Sequence, residues 1–599
     1  MNPPRTHMFL ANPPTHRFNL HAQAVALGVL ALGLHGTLHA QVRVVRPDGG
    51  VILQQQTTPQ IAVPQISPQV LPSGFAPKPA LDALPSSAVA VKAFMFSGNT
   101  VFSAAQLAPL VNGLVDKTAT LAELNTAADK VRQYYRERGY LLAQAYLPRQ
   151  DVTQGKIEIT VLEGYAGRVL ATTSKAARLK QGFAQSVLDA RLQPGQIITE
   201  RALETPLLIL SDLPGVDVKS AIGAGTAVGT ADIDVTIGQQ IGDGFLAQAT
   251  GGFVTGGIEF DSNASSFTGA NRVGANVAIN NATGYGDQLS VRTQIALENR
   301  RSNFAQIGWQ MPVGYYGTQA GVLFAKLNYA LIGSFAALQA EGDASITALT
   351  ASQPLLRSRN LNATAYINYE KKRIEDRTLA FNNVETRNID STRVGLRGDW
   401  RDALLGGGLN TFNLALVGGK LQIEQAAAVA NDQGVLGANT LGNFGKTNLD
   451  LLRLQTVTQN INLLGSLKAQ WASKNLSSAE KITLGGANDV RAYPSGEASG
   501  DQGYVGTLEA RYTNPAWRIG NATTVLSTFY DYGSVTISKN PLPGVANNRS
   551  IKGAGLGLTV ASGNDFAVRA AMAWRIGNQL PLSDADRSPR FWLQASKSF

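Results

Sequence analysis

Residues 288–298 read Gln-Leu-Ser-Val-Arg-Thr-Gln-Ile-Ala-Leu-Glu, a stretch in which apolar and polar side chains alternate. In an extended chain, Leu289, Val291 and Ile295 point to one face and Arg292 points to the other. A helix would instead space its apolar residues three and four apart. The stretch therefore predicts a β-strand with one apolar face and one wet face.

Comparable alternation continues for about 360 residues after Gly238, for example over 360–370, 461–471 and 566–574, and no helical pattern is visible in it. A soluble sandwich of two sheets also alternates and is the simpler alternative. It is disfavoured because Asn, Gln and Arg crowd the polar faces and because all six Trp lie in this region, where the aromatic girdles of a membrane barrel require them. The pattern predicts an all-β transmembrane barrel over 239–599, with about sixteen antiparallel strands of roughly 9–11 residues.

One connection within the barrel region, about 476–503, is unusually long, polar and rich in glycine. Such loops are usually functional or disordered, and a solvated surface loop is the simpler alternative. Its only Arg is suited to form a bidentate ion pair with a carboxylate elsewhere in the chain. The central stretch reads Leu484-Gly485-Gly486-Ala487-Asn488-Asp489-Val490-Arg491-Ala492-Tyr493.

A later alternating segment supplies a candidate carboxylate. Phe529, Asp531 and Gly533 fall on one of its faces, whereas Leu526 and Tyr530 fall on the other. A carboxylate is costly on a lipid-facing surface, so Asp531 is predicted to face the lumen.

Ahead of the barrel, 87–164 and 165–238 share the order strand, helix, helix, strand, strand, which predicts two tandem α+β modules. A capping box of Thr120 and Glu123 starts one helix of the first module. In the second module, a helix is predicted over 176–188, and another follows Thr199 as its N-cap. The predicted strands are 89–96, 140–147, 157–162, 167–171, 216–222 and 231–237.

The first forty residues contain Arg5, Arg17, an uncharged apolar run over 24–34 and a small residue, Ala40, at their end. This is the pattern of a secretory signal peptide, 1–40, and its apolar run is too short to span a bilayer.

Two short segments follow the signal peptide. In 41–58, Pro47, Gly49 and Gly50 disfavour a long helix, although a short helix over 51–57 is compatible with the composition. Seven prolines within 59–86 predict an extended linker.

The composition excludes several classes of function. The chain has no Cys, and its five His all lie in the first forty residues, so the exported chain would contain neither. This argues against the usual zinc sites, disulfides, Ser-His-Asp triads and Cys nucleophiles. The net charge of +10 fits Lys and Arg lining a wet interior better than nucleic-acid binding in an exported protein. We therefore predict no cofactor, no metal and no nucleic-acid partner.

Two motifs resemble those of one family, the outer-membrane transporters of two-partner secretion. Its Val-Arg-Gly-Tyr signature is similar to Val490-Arg491-Ala492-Tyr493, with Ala492 in place of Gly, and its aromatic-x-Asp-x-Gly motif matches Phe529-Tyr530-Asp531-Tyr532-Gly533. The two modules resemble polypeptide-transport-associated (POTRA) domains. The resemblance covers the chain from about Val89 onward.

The resemblance implies that the loop folds back into the barrel and that Arg491 pairs with Asp531 on the inner wall. It implies a role for the neighbouring Gly485 and Gly486 in the loop, Phe599 as a C-terminal assembly signal, and 41–58 as a possible plug helix. It further implies an outer-membrane pore of a Gram-negative bacterium with periplasmic modules. These would recognise an unfolded exoprotein of the haemagglutinin, adhesin or haemolysin type, and the barrel would pass it to the cell surface. Outer-membrane lipid and the barrel assembly machinery are the other implied partners.

Three other functions fit the sequence less well. A barrel insertase of the same superfamily shares the loop motif but generally carries more than two modules. An outer-membrane enzyme is disfavoured for two reasons: the exported chain would have no His, and its sequence shows no local nucleophile signature. A passive porin would have no need of the modules.

Overall fold

The computed structural model describes residues 47–57, 88–563 and 565–599. The predicted signal peptide, 1–40, and the predicted linker, 59–86, lie outside the described residues. Apart from 544–546, the described residues belong to one compact unit. Within the described ranges, no helix is long and apolar enough to cross a membrane.

Two modules of the same topology precede the barrel, and helix α1 (Gly49–Thr57) precedes both in the chain. In each module, an early strand runs parallel to the last strand. The strand that directly precedes the last one in sequence pairs antiparallel with it. The first module comprises β1 (Val89–Val91), β2 (Ala93–Ser97), α2 (Ala104–Val111), β3 (Lys117–Ala119), α3 (Leu121–Arg136), β4 (Gln144–Tyr146) and β5 (Lys156–Leu162). The second comprises β6 (Tyr165–Thr173), α4 (Gln181–Asp189), α5 (Glu200–Ser211), β7 (Val216–Ala224) and β8 (Thr230–Gln239).

Two predicted bounds in these modules are wrong for physical reasons. The strand predicted over 140–147 is shorter in the structure, where only β4 is extended. Its first residues form a turn, because the Ala143 N–H donates to the Tyr140 carbonyl. The helix predicted over 176–188 starts only at α4, because the Lys180 N–H donates to the Gly284 carbonyl of the barrel at 2.9 Å.

The first module buries one carboxylate, Glu163, just after β5. Glu163 accepts hydrogen bonds from the N–H groups of Thr100 and Val101, both at 2.7 Å, and from the Tyr135 hydroxyl at 2.9 Å. Burial and this hydrogen bond raise the pKa of Tyr135, so its hydroxyl keeps the proton that it donates. One carboxylate therefore joins the loop after β2, helix α3 and the end of β5.

The barrel is a closed ring of sixteen antiparallel strands, as predicted, and its last strand pairs with its first to complete it. A further short hairpin, β20 (Ile482–Leu484) with β21 (Ala498–Gly500), lies within the long loop. The strands of the ring are β9 (Val254–Asp261), β10 (Arg272–Asn280), β11 (Gln288–Ala296), β12 (Asn303–Pro312), β13 (Gln319–Ala330), β14 (Ala340–Arg357), β15 (Leu361–Thr378), β16 (Asn383–Asp402), β17 (Gly408–Ile423), β18 (Gly442–Thr456), β19 (Ile461–Ala472), β22 (Gln502–Ile519), β23 (Ala522–Thr536), β24 (Asn548–Ser562), β25 (Phe566–Arg575) and β26 (Arg590–Ser598).

The two faces of β11 follow the sequence pattern. Val291 and Ile295 are exposed on the outer surface. Arg292 turns inward and donates from Nη2 to Glu259 Oε1 at 2.8 Å, and Gln294 donates to Asp261 Oδ2 at 2.8 Å. Alternation therefore separates a lipid face from a polar lumen.

Several strands are longer than the predicted 9–11 residues, and β16 has 20. Part of the extra length lies at the ends away from the modules, where polar side chains occupy the outer faces of the strands. Arg377 of β15, for example, donates to Asp343 of β14 at 2.7 Å. Such pairs are compatible with water but not with lipid, so the strands extend beyond the membrane.

Two short helices follow Gly238, although no helical pattern is visible in that part of the sequence. Helices α6 (Phe245–Thr250) and α7 (Ala426–Gln433) lie in the barrel region. Six and eight residues complete only about two helical turns, which is too short for a periodic pattern to emerge.

We expect Glu163→Gln to destabilise the modules by about 1–3 kcal/mol, because an amide NH2 cannot accept the hydrogen bonds that the carboxylate accepts. Urea unfolding of residues 88–239, followed by far-ultraviolet circular dichroism, measures the change. The exposed Glu137 provides a matched control, since Glu137→Gln alters the same charge without burial. Equal unfolding midpoints for the two variants would contradict this role of Glu163.

Candidate functional site: the filled lumen of the barrel

The long loop, residues 473–501, leaves the end of β19 and folds back into the lumen before β22 begins. Val490, Ala492 and Tyr493 are buried there, in one cluster with Val505 and Phe529 of the wall. Burial of this apolar stretch against the inner wall holds the loop inside the barrel.

Gly485 and Gly486 let the loop reverse direction. Both have positive φ, +86° and +111°, a conformation that side chains disfavour. A Cβ at Gly485 would also approach Glu497 Cβ to 2.9 Å. The Gly486 N–H donates to the Tyr493 carbonyl at 3.0 Å, which closes the reversed segment around Arg491.

Arg491 lies against Asp531 of β23 in a bidentate arrangement. Its Nε donates to Asp531 Oδ2 and its Nη2 to Asp531 Oδ1, both at 2.9 Å, and its backbone N–H donates to Oδ2 at 3.1 Å. The Asp531 side chain is 0% exposed, and the Thr507 hydroxyl donates to it at 2.9 Å. A buried carboxylate with four donors is strongly oriented, so it holds the loop backbone as well as the guanidinium.

Sequence reasoning missed three further contacts of Arg491. Its Nη1 donates to Glu509 Oε2 at 2.8 Å, and its guanidinium carbon lies 3.2 Å from the centre of the Phe529 ring. Its carbonyl accepts from the Trp592 indole N–H at 2.7 Å. Glu509 was detectable, because a carboxylate in an alternating strand must avoid the lipid face.

Trp592 departs from the prediction of an aromatic girdle. The other five Trp are exposed, whereas Trp592 is only 5% exposed and faces the lumen. Its indole N–H needs a buried acceptor, which the loop carbonyl of Arg491 supplies.

Ala492 replaces the Gly of the family signature without strain. The backbone φ of Ala492 is not positive, so this position does not require glycine. Its Cβ faces Gly553 of β24, where any side chain would collide with it. Gly533 is similar, since a Cβ there would lie 2.9 Å from Leu484 and 3.1 Å from Val490.

A second carboxylate, Glu480, binds the loop to a different part of the wall. It is 1% exposed and pairs with Lys372 of β15 at 2.7 Å and with Lys446 of β18 at 2.8 Å. Lys446 also donates to the Glu480 carbonyl at 2.7 Å. No sequence motif marks Glu480, because its partners are 108 and 34 residues away.

A third carboxylate, Glu497, contacts the loop between β25 and β26. It pairs with Arg549 and accepts from the Ser583 hydroxyl at 2.7 Å and the Leu582 N–H at 2.9 Å. Asp531, Glu480 and Glu497 thus bind one loop at three positions around the barrel.

Helix α1 occupies the lumen beside this loop. Asp48 caps it by accepting from the Val51 N–H at 3.0 Å, and Arg387 of β16 donates to Asp48 at 3.1 Å. Arg387 also pairs with Asp376 of the wall and donates to Ser478 of the loop at 2.8 Å. A single guanidinium therefore contacts the helix, the wall and the loop.

Two glycines allow α1 to approach its neighbours closely. A Cβ at Gly50 would lie 2.6 Å from the backbone nitrogen of Ala479, and a Cβ at Gly49 would lie 2.9 Å from Ile374. Ile52 is buried in a cluster with strands of the wall, and the cavity that remains beside it is only about 20 Å³. The helix and the loop together fill this part of the lumen.

Phe599 lies at the seam of the barrel. Its N–H donates to the Gly256 carbonyl of β9 at 3.0 Å, which extends the ladder between β26 and β9 by one residue. Its ring lies 6.5 Å from that of Phe245 in α6.

Two protein-family models match the chain. The model of the haemolysin secretion/activation protein ShlB/FhaC/HecB matches residues 246–560, which are more than half of the chain, and the model of the POTRA domain, ShlB-type, matches residues 89–164. The first match covers most of the barrel, and the second covers the first module.

Similar full-length proteins and solved structures agree with these matches. The heme/hemopexin transporter protein HuxB of Haemophilus influenzae is 27% identical over 497 residues, which cover 82% of this chain and 84% of HuxB. The outer membrane transporter CdiB of Dickeya dadantii is 23% identical over 495 residues, 81% of this chain and 83% of CdiB. The solved structure of CdiB from Escherichia coli has a TM-score of 0.66 at 20% identity and covers 89% of this chain and 94% of its own. It shows the same fold.

We expect a double-mutant cycle of Arg491→Gln and Asp531→Asn to show strong coupling. Arg491→Gln leaves the Asp531 carboxylate buried without a cation, which costs about 3–5 kcal/mol. Asp531→Asn removes the bidentate partner of Arg491 but leaves its pair with Glu509, and the double change removes both charges of the tested pair. The half-exposed pair Arg453 and Asp402, at 2.7 Å, is the control and should show coupling below about 1 kcal/mol. Thermal unfolding in detergent, read by heat-modifiable gel mobility, measures both cycles. Additive effects at Arg491 and Asp531 would contradict a desolvated pair.

Proposed function

The chain belongs to the haemolysin secretion/activation protein family ShlB/FhaC/HecB, and we propose that its barrel becomes a conduit when α1 and the inward loop move aside. It is an outer-membrane transporter of two-partner secretion, which recognises an unfolded partner exoprotein in the periplasm and passes it to the cell surface. The observation that carries the proposal is that parts of the same chain fill the lumen and are held there by ion pairs and hydrogen bonds as well as by apolar packing.

The nature of these contacts supports reversible filling. Asp48, Arg387 and Glu480 make ion pairs and hydrogen bonds that water can replace when the lumen opens. A sixteen-stranded barrel emptied of these elements leaves an aqueous channel. An extended polypeptide fits such a channel, whereas the filled state prevents leakage.

The loop motif has a positioning role in this proposal. The position of the loop is set by Arg491, Asp531 and Glu509. Its packing against the wall, which includes Phe529 and Gly533, depends on five loop residues: Gly485, Gly486, Val490, Ala492 and Tyr493. Phe599 completes the seam and serves as the signal that the barrel assembly machinery reads before insertion into outer-membrane lipid.

We assign capture of the partner to the modules. Strand β7 is an outer strand of the sheet β6-β8-β7, so its free edge has no strand partner among the described residues. An extended segment can add to such an edge through main-chain hydrogen bonds. The partner is an exoprotein of the haemagglutinin, adhesin or haemolysin type, and the name of HuxB makes a heme/hemopexin-related exoprotein one candidate.

The same site argues against catalysis as the function. Its buried carboxylates, Asp531, Glu480 and Glu497, are each paired with a cation, which leaves none poised as a nucleophile or base. We propose a pore without enzymatic activity.

Deletion of residues 89–163 should abolish secretion of the partner and leave the barrel assembled, because the first module shares no strand with the barrel sheet. Secretion is measured as partner protein in the culture medium, and assembly is measured by heat-modifiable mobility of the transporter. Wild-type secretion by the deletion variant would contradict capture by the modules.

Arg387→Gln should raise channel conductance in planar bilayers, because it removes the ion pair between the wall and Asp48 of α1. Deletion of 47–57 sets the upper limit of this effect. Arg301→Gln is the matched control, since Arg301 pairs with Glu341 and is 70% exposed. Unchanged conductance in both the Arg387 variant and the deletion would show that α1 does not close the pore.

A further inference from the structure

The second module meets the periplasmic end of the barrel at a basic cleft of about 360 Å³. Its walls come from the segment before α4 and from the turn that joins β10 to β11. Lys175, Arg178 and Lys180 place three positive charges there. Cations brought together from an irregular segment repel one another, so a bound anion would stabilise the arrangement.

These cations have no carboxylate partner among the described residues, and two of them are held in place by aromatic rings. The guanidinium of Arg178 lies 3.8 Å from the centre of the Phe253 ring, and Lys180 Nζ lies 3.9 Å from that of Tyr285. The only acid of the turn, Asp287, is buried and accepts from the N–H and hydroxyl of Thr283. The cleft is therefore preorganised for an anion that the described chain does not supply.

A buried donor in the wall of the cleft points to the same ligand class. Asn281 is 1% exposed, and its Oδ1 accepts from the Gly286 N–H at 2.8 Å. Its Nδ2 has no hydrogen-bond partner among the described residues. Helix α4 also begins at the cleft, and Lys180 at its N-cap provides no side-chain cap for its first amides. The N-terminus of α4 and the unpaired Asn281 Nδ2, beside three cations, fit the oxygens of a phosphate group.

The position of the cleft identifies the source of this phosphate. The turn precedes β11, whose Val291 lies on the lipid face. Tyr285 of this turn and Tyr315 and Tyr316 of the next periplasmic turn are 41–52% exposed, as aromatic residues are at the level of lipid headgroups. Arg191 of the second module lies near the Tyr316 ring, 5.3 Å from its centre. Basic and aromatic side chains together are characteristic of this interface.

We propose that the cleft binds the phosphate of an anionic phospholipid of the periplasmic leaflet. The module supplies Lys175, Arg178 and Lys180, and the barrel turn supplies Asn281 and its backbone. The acyl chains lie along the apolar outer surface beside the turn. Inorganic phosphate offers the same oxygens but cannot make this last contact.

Native mass spectrometry of the full chain in detergent tests the proposal, with phosphatidylglycerol as the probe, diacylglycerol as a lipid without phosphate, and inorganic phosphate as competitor. We expect the wild type to retain phosphatidylglycerol but not diacylglycerol. The variant Lys175→Gln/Arg178→Gln/Lys180→Gln should lose about fivefold in affinity for each cation removed. Lys92→Gln/Lys130→Gln/Lys219→Gln removes the same charge from exposed positions on the modules and should bind as the wild type does.

Three outcomes would overturn the proposal. The first is equal retention of phosphatidylglycerol by the wild type and the cleft variant. The second is an equal loss in the control variant, which would indicate attraction by net charge alone. The third is binding of inorganic phosphate without retention of phosphatidylglycerol, which would assign the cleft to a free anion. The single variant Lys175→Gln changes one exposed residue and therefore tests the cleft even if the triple variant misfolds. It should still show about a fivefold loss of affinity for phosphatidylglycerol.

Discussion

Every backbone N–H and C=O of a strand in lipid must be paired within the protein, and this constraint determines the rest of the molecule. The sixteen strands meet it only because β26 pairs with β9. That seam is short, since five residue pairs join its strands, compared with eighteen between β15 and β16. The added hydrogen bond from Phe599 to Gly256 therefore matters more at the seam than a single bond would elsewhere.

Closure of the ring creates an interior that polar side chains line. Any segment that enters this interior carries its own charges out of bulk water, and an unpaired buried charge is costly. The chain meets this cost by giving each buried carboxylate of the loop at least two donors. Glu480 and Glu497 of the loop take donors from different strands of the wall, and Asp531 of the wall accepts from Arg491 of the loop, so the loop has one position rather than many. Many of these contacts are polar, so water can replace them when the loop moves.

Helix α1 shows how the lumen overrides local preference. Gly49 and Gly50 are poor helix formers, and an isolated helix of nine residues is marginal in water. Here the same glycines allow contact with Ala479 and Ile374, and Asp48 is held by Arg387 at the first turn. Tertiary contacts thus stabilise a helix whose composition disfavours it.

Alternation and capping residues were enough to predict the modules, the membrane barrel and its approximate strand number, and two motifs were enough to indicate the family. They were enough because each depends on residues close in sequence or on the cost of a charge in lipid. The juxtaposition of Arg491 with Asp531 followed only from the family resemblance, and the structure shows its geometry. Tertiary structure alone decided that Glu509 and Phe529 also contact Arg491, that Glu480 meets Lys372 and Lys446, and that Trp592 faces inward. Alternation assigns a side chain to one face of its strand, but the register and closure of the whole ring determine which distant side chains meet across the lumen.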